Sequence, residues 1–401
     1  MSTAAEIEEP RQFRDRVHAW LVANAPKKGD PEDFSAIHIV SASTTAEYEA
    51  REQRAMAVTQ QWQRKLFDAG LAGRSWPVDY GGHGAPAWQD EIISDEQSHF
   101  GVSTKMFAIA LEMLPPVLFN HGTHEQRVEH LPRVVRGEES WCQLLSEPDA
   151  GSDLGSVRTT ATPVVGGWSV KGQKVWTSGA GSADYALLLA RTSPDQTRRG
   201  LSCMALDMSQ PGVTVRPLRQ MSGGYHFNEV FLDGVFVPEA SLIGALGGGW
   251  EVLGTMLASE RAAIGSATSA RSATQLVALA RRLGRADDPV VRQRVAQAVI
   301  RERVLDLLVS RVASGDRVPA GGPATKLLYS EHARLTAATA MEILGSAAMT
   351  TDDPDAAPWV DRLLFAPGLR LGGGTDEIQR NAIAERGLGL PREPQAAHRD
   401  R

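Results

Sequence analysis

The sequence predicts an α+β chain of several domains: helices first, a small antiparallel β domain in the middle, and helices again to the end. Three observations predict it. Apolar residues recur at helical spacing up to about residue 138 and again past Gly244. Between them, residues 139 to 240 break into short runs rich in Val, Leu and aromatics, separated by Gly, Pro, Asp and Ser. Finally, 401 residues at 42% hydrophobic and 22% charged make a globular chain too long for one simple core. The expected boundaries are a helical domain over 1–138, a β domain over 139–243, a second helical domain over 244–390 and a flexible tail over 391–401.

The first domain rests on Phe13, Val17, Trp20 and Leu21, and later on Val58, Trp62 and Leu66, each set lying on one helical face. Residues 24 to 45 between them are polar and irregular and read as a loop. Pro115 and Pro116 interrupt another apolar run, and Leu131-Pro132 marks a further boundary. In the middle domain, strands are expected around Trp168–Val170, Tyr185–Ala190, Ser202–Leu206, Val213–Leu218 and Glu229–Val237. Their spacing leaves no room for crossover helices, so the sheet is expected to be an antiparallel barrel or sandwich. Past Gly244 the helices break at Gly284, at Gly315 to Pro323 and at Pro354 to Pro367. Asp288-Pro289 is a helix start, with Val291, Val295 and Val299 following on one face.

Composition excludes several classes. With 42 Lys plus Arg against 48 Asp plus Glu the net charge is -6, which argues against nucleic-acid binding. Cys142 and Cys203 are the only cysteines, so no disulfide framework and no Cys-based metal site is expected, and a reducing cytoplasm fits. The start, MSTAAEIEEP, has no apolar core and reads as neither signal nor transit peptide; no run of 18 apolar residues predicts a transmembrane helix.

Four stretches can carry chemistry. SEPDAGSD, Ser146 to Asp153, is either an interdomain turn or a loop whose N–H groups and hydroxyls meet a ring or phosphate. In KGQKVWTSG, Trp176 stands beside Thr177 and Ser178, which suits an aromatic heterocycle as well as a hairpin core. In GGGTDEIQRNAIAERGLGL, three glycines run into a helix with Asp376 and Glu377 in its first turn; this is either a hinge or a set of free N–H donors, and not a dinucleotide fingerprint. On GGGWEVLGTMLASERAAIG, Glu260 has Met256, Leu257, Ala263 and Ile264 as helical neighbours. Such a glutamate is either solvated or a buried candidate base.

Together and in this order, these stretches resemble the acyl-CoA dehydrogenase family of flavoproteins over roughly residues 50 to 393. WCQLLSEPDAGSD looks like its flavin loop, KGQKVWTSG its second flavin contact, EVFLDGVFVPEASLIG the end of its β domain and GGGTDEIQRNAIAERGLGLPRE its C-terminal helix. The resemblance implies an N-terminal helical domain, a central antiparallel β-barrel and a C-terminal four-helix bundle. It also implies FAD, an acyl-CoA substrate oxidised to the trans-2-enoyl-CoA, electron-transfer flavoprotein as acceptor, and a homodimer or homotetramer. By the same resemblance Gln143, Leu145, Ser146, Gly151, Ser152, Trp176, Thr177, Ser178, Thr375, Glu377 and Gln379 contact the cofactor. Ser152, Arg261 and Gly374 contact substrate, and the Gly373 N–H holds the thioester oxygen.

The sequence departs from the family pattern in three places. Gly373 stands where most members carry the base, and Glu260 matches the position of the base in a minority resembling isovaleryl-CoA and long-chain dehydrogenases. The Arg of the RxxFG motif that grips the FAD pyrophosphate is absent from RRLGRADDPVVRQR, leaving Arg281, Arg282 and Arg285 as candidates. Glu342 lies where a Gln commonly approaches the neighbouring flavin. A subunit of a hetero-oligomeric dehydrogenase and a flavin monooxygenase on the same scaffold are the rival readings, and the acyl group is not set by the sequence.

Overall fold

The computed structural model describes residues 8–35, 44–194, 198–266, 272–314, 318–350 and 352–392. They fall into two compact units that divide between Met256 and Leu257. Among the described residues no helix is long and apolar enough to cross a membrane. Most of the expected tail, from 393, lies outside the described residues.

The first unit begins with α1 (Pro10–Asn24), α2 (Thr45–Asp68) and α3 (Trp88–Gln97). Phe13, Val17 and Leu21 from α1 meet Trp62 and Leu66 from α2 and Ile92 and Ile93 from α3 in one core, with Trp20 partly buried at its edge. Helices α4 (Leu114–His121) and α5 (His124–Val135) follow. Pro115 and Pro116 fall in the first turn of α4, directly after a π-helical turn over Ile109–Met113, so helical backbone runs through the stretch they were expected to interrupt. The boundary expected at Leu131-Pro132 is corrected. Pro132 lies inside α5, close enough to its end to cost one hydrogen bond, and burial of Leu131, Val134 and Val135 on the same face carries the helix on.

The sheet comprises β1 (Trp141–Leu144), β2 (Thr160–Val164), β3 (Gly167–Ser178), β4 (Tyr185–Arg191), β5 (Leu201–Asp207), β6 (Val213–Leu218), β7 (Phe227–Pro238) and β8 (Leu242–Ile243). Its order is β6-β7-β3-β2-β4-β5-β8, with β1 paired to β4. The expectation of a closed antiparallel barrel is corrected on two counts. No pairing among the described residues joins β6 to β8, so the sheet is open. It is also mixed, because β1 runs parallel to β4 and β2 meets β4 in parallel at Thr160 and Arg191. Short spacing rules out crossover helices only between consecutive strands; the β2–β3 hairpin itself forms the crossover between β1 and β4. Val170, Leu188, Met204, Val230 and Val235 are central to the core beneath the sheet.

Helix α6 (Gly249–Ser266) spans the division between the units. In the second unit α7 (Ser272–Arg282), α8 (Pro289–Ala313), α9 (Gly321–Leu344) and α10 (Ala357–Leu371) share a core built from Leu276, Leu279, Val291, Ala298, Ala340, Ile343 and Trp359. Asp288 caps α8 by accepting from the Val290 and Val291 N–H groups. Val299, expected on the inner face with Val291, is exposed, because the buried stripe of α8 passes through Ala298 instead. The break expected from Pro354 to Pro367 is also shorter: α10 starts at Ala357 and continues through Pro367. The short helix α11 (Asp376–Ala382) follows the glycine loop.

Candidate active site

In the first unit the two expected ring-contact segments are neighbours. β1 delivers the chain to Leu145 and Ser146, and the Val175 N–H of β3 donates to the Ser146 carbonyl at 3.0 Å. The pairing of β3 with β7 slips between Lys174 and Thr177, which makes a bulge. Within it Trp176 takes φ +62°, a left-handed conformation that costs a non-glycine residue about 1–2 kcal/mol. The strained residue turns outward: Trp176 is 61% exposed and touches Phe227 edge-on at 6.1 Å.

Thr177, the next residue, is buried, and its Oγ1 has no hydrogen-bond partner among the described residues. Its carbonyl accepts from the buried Asn228 Nδ2 at 3.0 Å, which fixes the backbone beyond the bulge. Ser146 and Ser178 are half-buried, whereas Gly151 and Ser152 are exposed. Nothing lies within 4 Å of where a Cβ would stand at Gly151 or Gly179. Gln143 Nε2 lies 3.1 Å from the Met113 Sδ, and Leu145 is buried. An exposed flat ring, the half-buried Ser146 and Ser178 and open space over two glycines fit an aromatic heterocycle with polar edges, the group the resemblance implies.

Beneath this surface Lys174 is fully buried. Its Nζ donates to Glu147 Oε1 at 2.9 Å and to the Leu145 carbonyl at 3.0 Å. Burial pulls the Lys174 ammonium down to about 8. Burial pushes the Glu147 carboxyl up, but Lys174 and the N–H donors of Arg158 and Thr159 more than offset this and leave it below the usual carboxylate range. Neither residue was singled out from sequence, although a signal existed: counting alternate positions from the inward Trp168 and Val170 places Lys174 on the buried face.

In the second unit, Gly373 and Gly374 both adopt positive φ, +66° and +85°. Thr375 caps α11 by accepting from the Ile378 N–H at 3.2 Å. Gln379 is buried, with its Nε2 donating to the Gly373 and Gly374 carbonyls, and Glu377 is solvent-exposed. Asp376, also buried, accepts from Lys326 Nζ at 3.0 Å, Ser330 Oγ at 2.7 Å and Arg370 Nε at 2.7 Å. Burial alone would raise its pKa; these three donors hold it below the ordinary value. The sequence suggested Asp376 as a partner for the helix dipole, whereas here it anchors the loop to α9 and α10.

Glu260 is half-buried on α6, four residues past Met256, and the Arg261 side chain lies outside the described residues. Of the arginines at the altered motif, Arg282 pairs with Asp355 at 2.6 Å and Arg285 with Asp288 at 2.9 Å. Arg281, at the end of α7, has no ion partner among the described residues. The Glu342 carboxylate lies 3.3 Å from Arg294 Nε, which offsets its charge. No cluster of metal-ligating side chains occurs among the described residues.

The domain order is shared with known proteins. The family models for the acyl-CoA dehydrogenase N-terminal, middle and C-terminal domains match residues 35–138, 142–235 and 247–388. The chain is 36% identical over 393 residues to acyl-CoA dehydrogenase IpdE1 of Mycobacterium tuberculosis (strain ATCC 25618 / H37Rv), covering 96% of this chain and 99% of that one. Among solved structures it is similar to the ChsE4-ChsE5 complex from Mycobacterium tuberculosis, with TM-score 0.77 and 27% identity over 98% of this chain and 100% of that one. It is also similar to the Tcur3481-Tcur3483 steroid ACAD, with TM-score 0.79 and 25% identity over 97% and 100% of the two chains. With all three domains matched in order, the chain belongs to the acyl-CoA dehydrogenase family and is an oxidoreductase that dehydrogenates an acyl-CoA thioester.

Proposed function

We propose that the chain binds FAD through Ser146, Gly151, Ser152, Trp176, Thr177 and Ser178 and uses Glu260 to take the α-proton of an acyl-CoA. The observation that carries the cofactor assignment is the exposed Trp176 ring on its strained bulge, near the half-buried Ser146 and Ser178. A bound polar heterocycle would cover the ring and meet hydroxyls at its edge. FAD, when bound, supplies the acceptor for the substrate's β-hydride. A thioester α-proton is weakly acidic, so the base needs a preorganised donor at the carbonyl oxygen where charge develops. The Gly373 N–H is the proposed protein donor, on a loop whose carbonyls are already tied to Gln379. Arg261 and Gly374 are the proposed substrate contacts beside these groups.

The neighbouring steroid ACAD supports a sterol-derived acyl group as the first substrate class to test. A second reading concerns assembly. Two of the similar structures carry paired names, ChsE4-ChsE5 and Tcur3481-Tcur3483, which supports a hetero-oligomer beside the homodimer or homotetramer. Electron-transfer flavoprotein is the proposed acceptor, and rapid reoxidation of the reduced protein by air would instead favour a monooxygenase.

The test is anaerobic bleaching of FAD-loaded protein by short, long, branched and sterol-derived acyl-CoAs, with parent and Glu260→Gln compared. The variant should bind FAD and acyl-CoA but bleach about 10²- to 10⁴-fold more slowly. Bleaching at the parental rate would remove Glu260 from the role of base, and a protein that takes up no FAD would overturn the cofactor reading.

A further inference from the structure

Lys174 and Glu147 connect the two segments assigned above to the flavin ring, Lys174 fully buried and Glu147 nearly so. Glu147 follows Ser146 directly, and Lys174 stands two residues before Trp176. Three bonds join the strips: Lys174 Nζ to Glu147 Oε1 at 2.9 Å, Lys174 Nζ to the Leu145 carbonyl at 3.0 Å, and the Val175 N–H to the Ser146 carbonyl at 3.0 Å. Glu147 also closes its own turn, exchanging backbone bonds with Ala150 at 3.0 and 3.1 Å. Its two carboxylate oxygens reach further, Oε2 to the Arg158 N–H at 2.6 Å and Oε1 to the Thr159 N–H at 2.8 Å.

Two facts separate this pair from ordinary core filling. A buried ion pair is often no more stabilising than a well-packed apolar pair of the same volume, so its presence under a site calls for a reason other than stability. The acceptor count is also strict. Glu147 serves two backbone N–H groups on different oxygens and an ammonium as well; an amide would turn its NH₂ toward one of those donors. An apolar residue at 174 would in turn leave the Leu145 carbonyl without its donor. The bulge begins immediately after Lys174, so the anchored residue is the last in register before the strained Trp176.

We propose that Lys174 and Glu147 form a buried latch that fixes segment 145–153 against segment 174–178, making both positioning residues for the flavin site. The proposal rests on the FAD reading above. The latch does not touch the ring; it sets the separation between Ser146 and Ser152 on one strip and Trp176 and Ser178 on the other.

The experiment compares the full-length parent with Lys174→Met, the apolar double variant Lys174→Met with Glu147→Leu, and Glu147→Asp. Three readouts are taken: thermal midpoint and amide hydrogen exchange of peptides covering 141–153 and 171–180, both without added FAD, and FAD dissociation constant with the visible circular dichroism of the bound flavin. Lys174→Met should melt early, because it strands Glu147. In the double variant the midpoint should rise above that of Lys174→Met but stay below the parent, because the Arg158 and Thr159 N–H groups and the Leu145 carbonyl lose their partners. Its two peptides should still exchange at least 10-fold faster, FAD affinity should stay at least 10-fold weaker, and the flavin dichroism should differ from the parent's. Recovery of exchange, affinity and dichroism would overturn the latch and leave a purely structural pair. If the double variant does not fold, Glu147→Asp decides: the shortened carboxylate should weaken FAD binding and speed exchange by 3-fold or more, and parental values in both would overturn the proposal. A parent chain that binds no FAD overturns the cofactor reading and the proposal together, whereas a binding parent with an equally binding double variant overturns the latch alone.

Discussion

Gln379 is tied to Gly373: its Nε2 donates to the Gly373 carbonyl at 2.8 Å and, more weakly, to that of Gly374 at 3.2 Å. A Cβ at Gly374 would stand 2.6 Å from the same nitrogen, so a side chain there would push the Gln379 amide off its acceptors. Gln379→Leu removes the tether while keeping the bulk. The expected result is slower flavin reduction by on the order of 10²-fold, the cost of a donor misplaced by about 1 Å. Stopped-flow reduction at saturating acyl-CoA measures it, and a parental rate would show that the loop holds its shape without Gln379.

Relocating the base is a more demanding test. Glu260→Gly should abolish most activity, and adding Gly373→Glu should restore part of it if both positions serve one α-carbon. The structure limits the rescue. Gly373 sits at φ +66°, where a side chain costs about 1–2 kcal/mol, equivalent to roughly 5- to 30-fold. Single-turnover reduction in the two variants is the measurement; no gain with any acyl-CoA, despite intact FAD binding, would mean the two positions do not converge.

Thr177→Val should separate stability from cofactor binding. The orphaned Oγ1 carries a desolvation cost of about 1–3 kcal/mol that the isosteric valine lacks. Without FAD the variant should therefore melt above the parent. FAD affinity should stay parental, because the covered hydroxyl is out of a ligand's reach. Melting curves with and without FAD check both, and weaker FAD binding by the variant would place Thr177 Oγ1 against the cofactor.

Asp376→Asn should destabilise the second unit by about 3–5 kcal/mol, since it strands the buried Lys326 ammonium. The parent's acid sensitivity follows from the same group. Its folded pKa is depressed, so its stabilisation is fully present above the unfolded value, near 4, and is lost as pH falls through the folded one. Denaturant midpoints from pH 7 down to pH 2 should fall in the parent, and by less in the variant. An identical acid profile in both would mean that other carboxylates dominate.

The sequence was most legible where a single element carries its own signal. The expected strand Val213–Leu218 is β6 to the residue, and Asp288-Pro289 begins α8. β1 escaped notice because it has four residues and no hairpin partner: its pairing with β4 is non-local, and no local period reports that. The prolines misled for a similar reason. Pro132 and Pro367 signal a helix end by local rules, and burial of the flanking apolar face overrides them. Trp176 in the first unit and the glycine loop in the second stood out in the sequence as surface chemistry. The groups holding them in place, Lys174 with Glu147 and Asp376 with Lys326, are pairs 27 and 50 positions apart, so spacing alone could not join them.

The parallel pairing of β1 with β4 also bears on how the protein is made. Trp141 must find Tyr185, its partner across an intervening hairpin, before the chain leading into Ser146 has a fixed course. Closing such a loop loses chain entropy before any contact repays it, and non-local pairing of this kind slows folding. During synthesis β1 leaves the ribosome with an unpaired edge and waits for β4 to emerge. The Ser146 segment therefore gains its course only once β4 is made, and the strand carrying Trp176 only once β7 follows, so a chain stalled between them would hold half of the cofactor pocket.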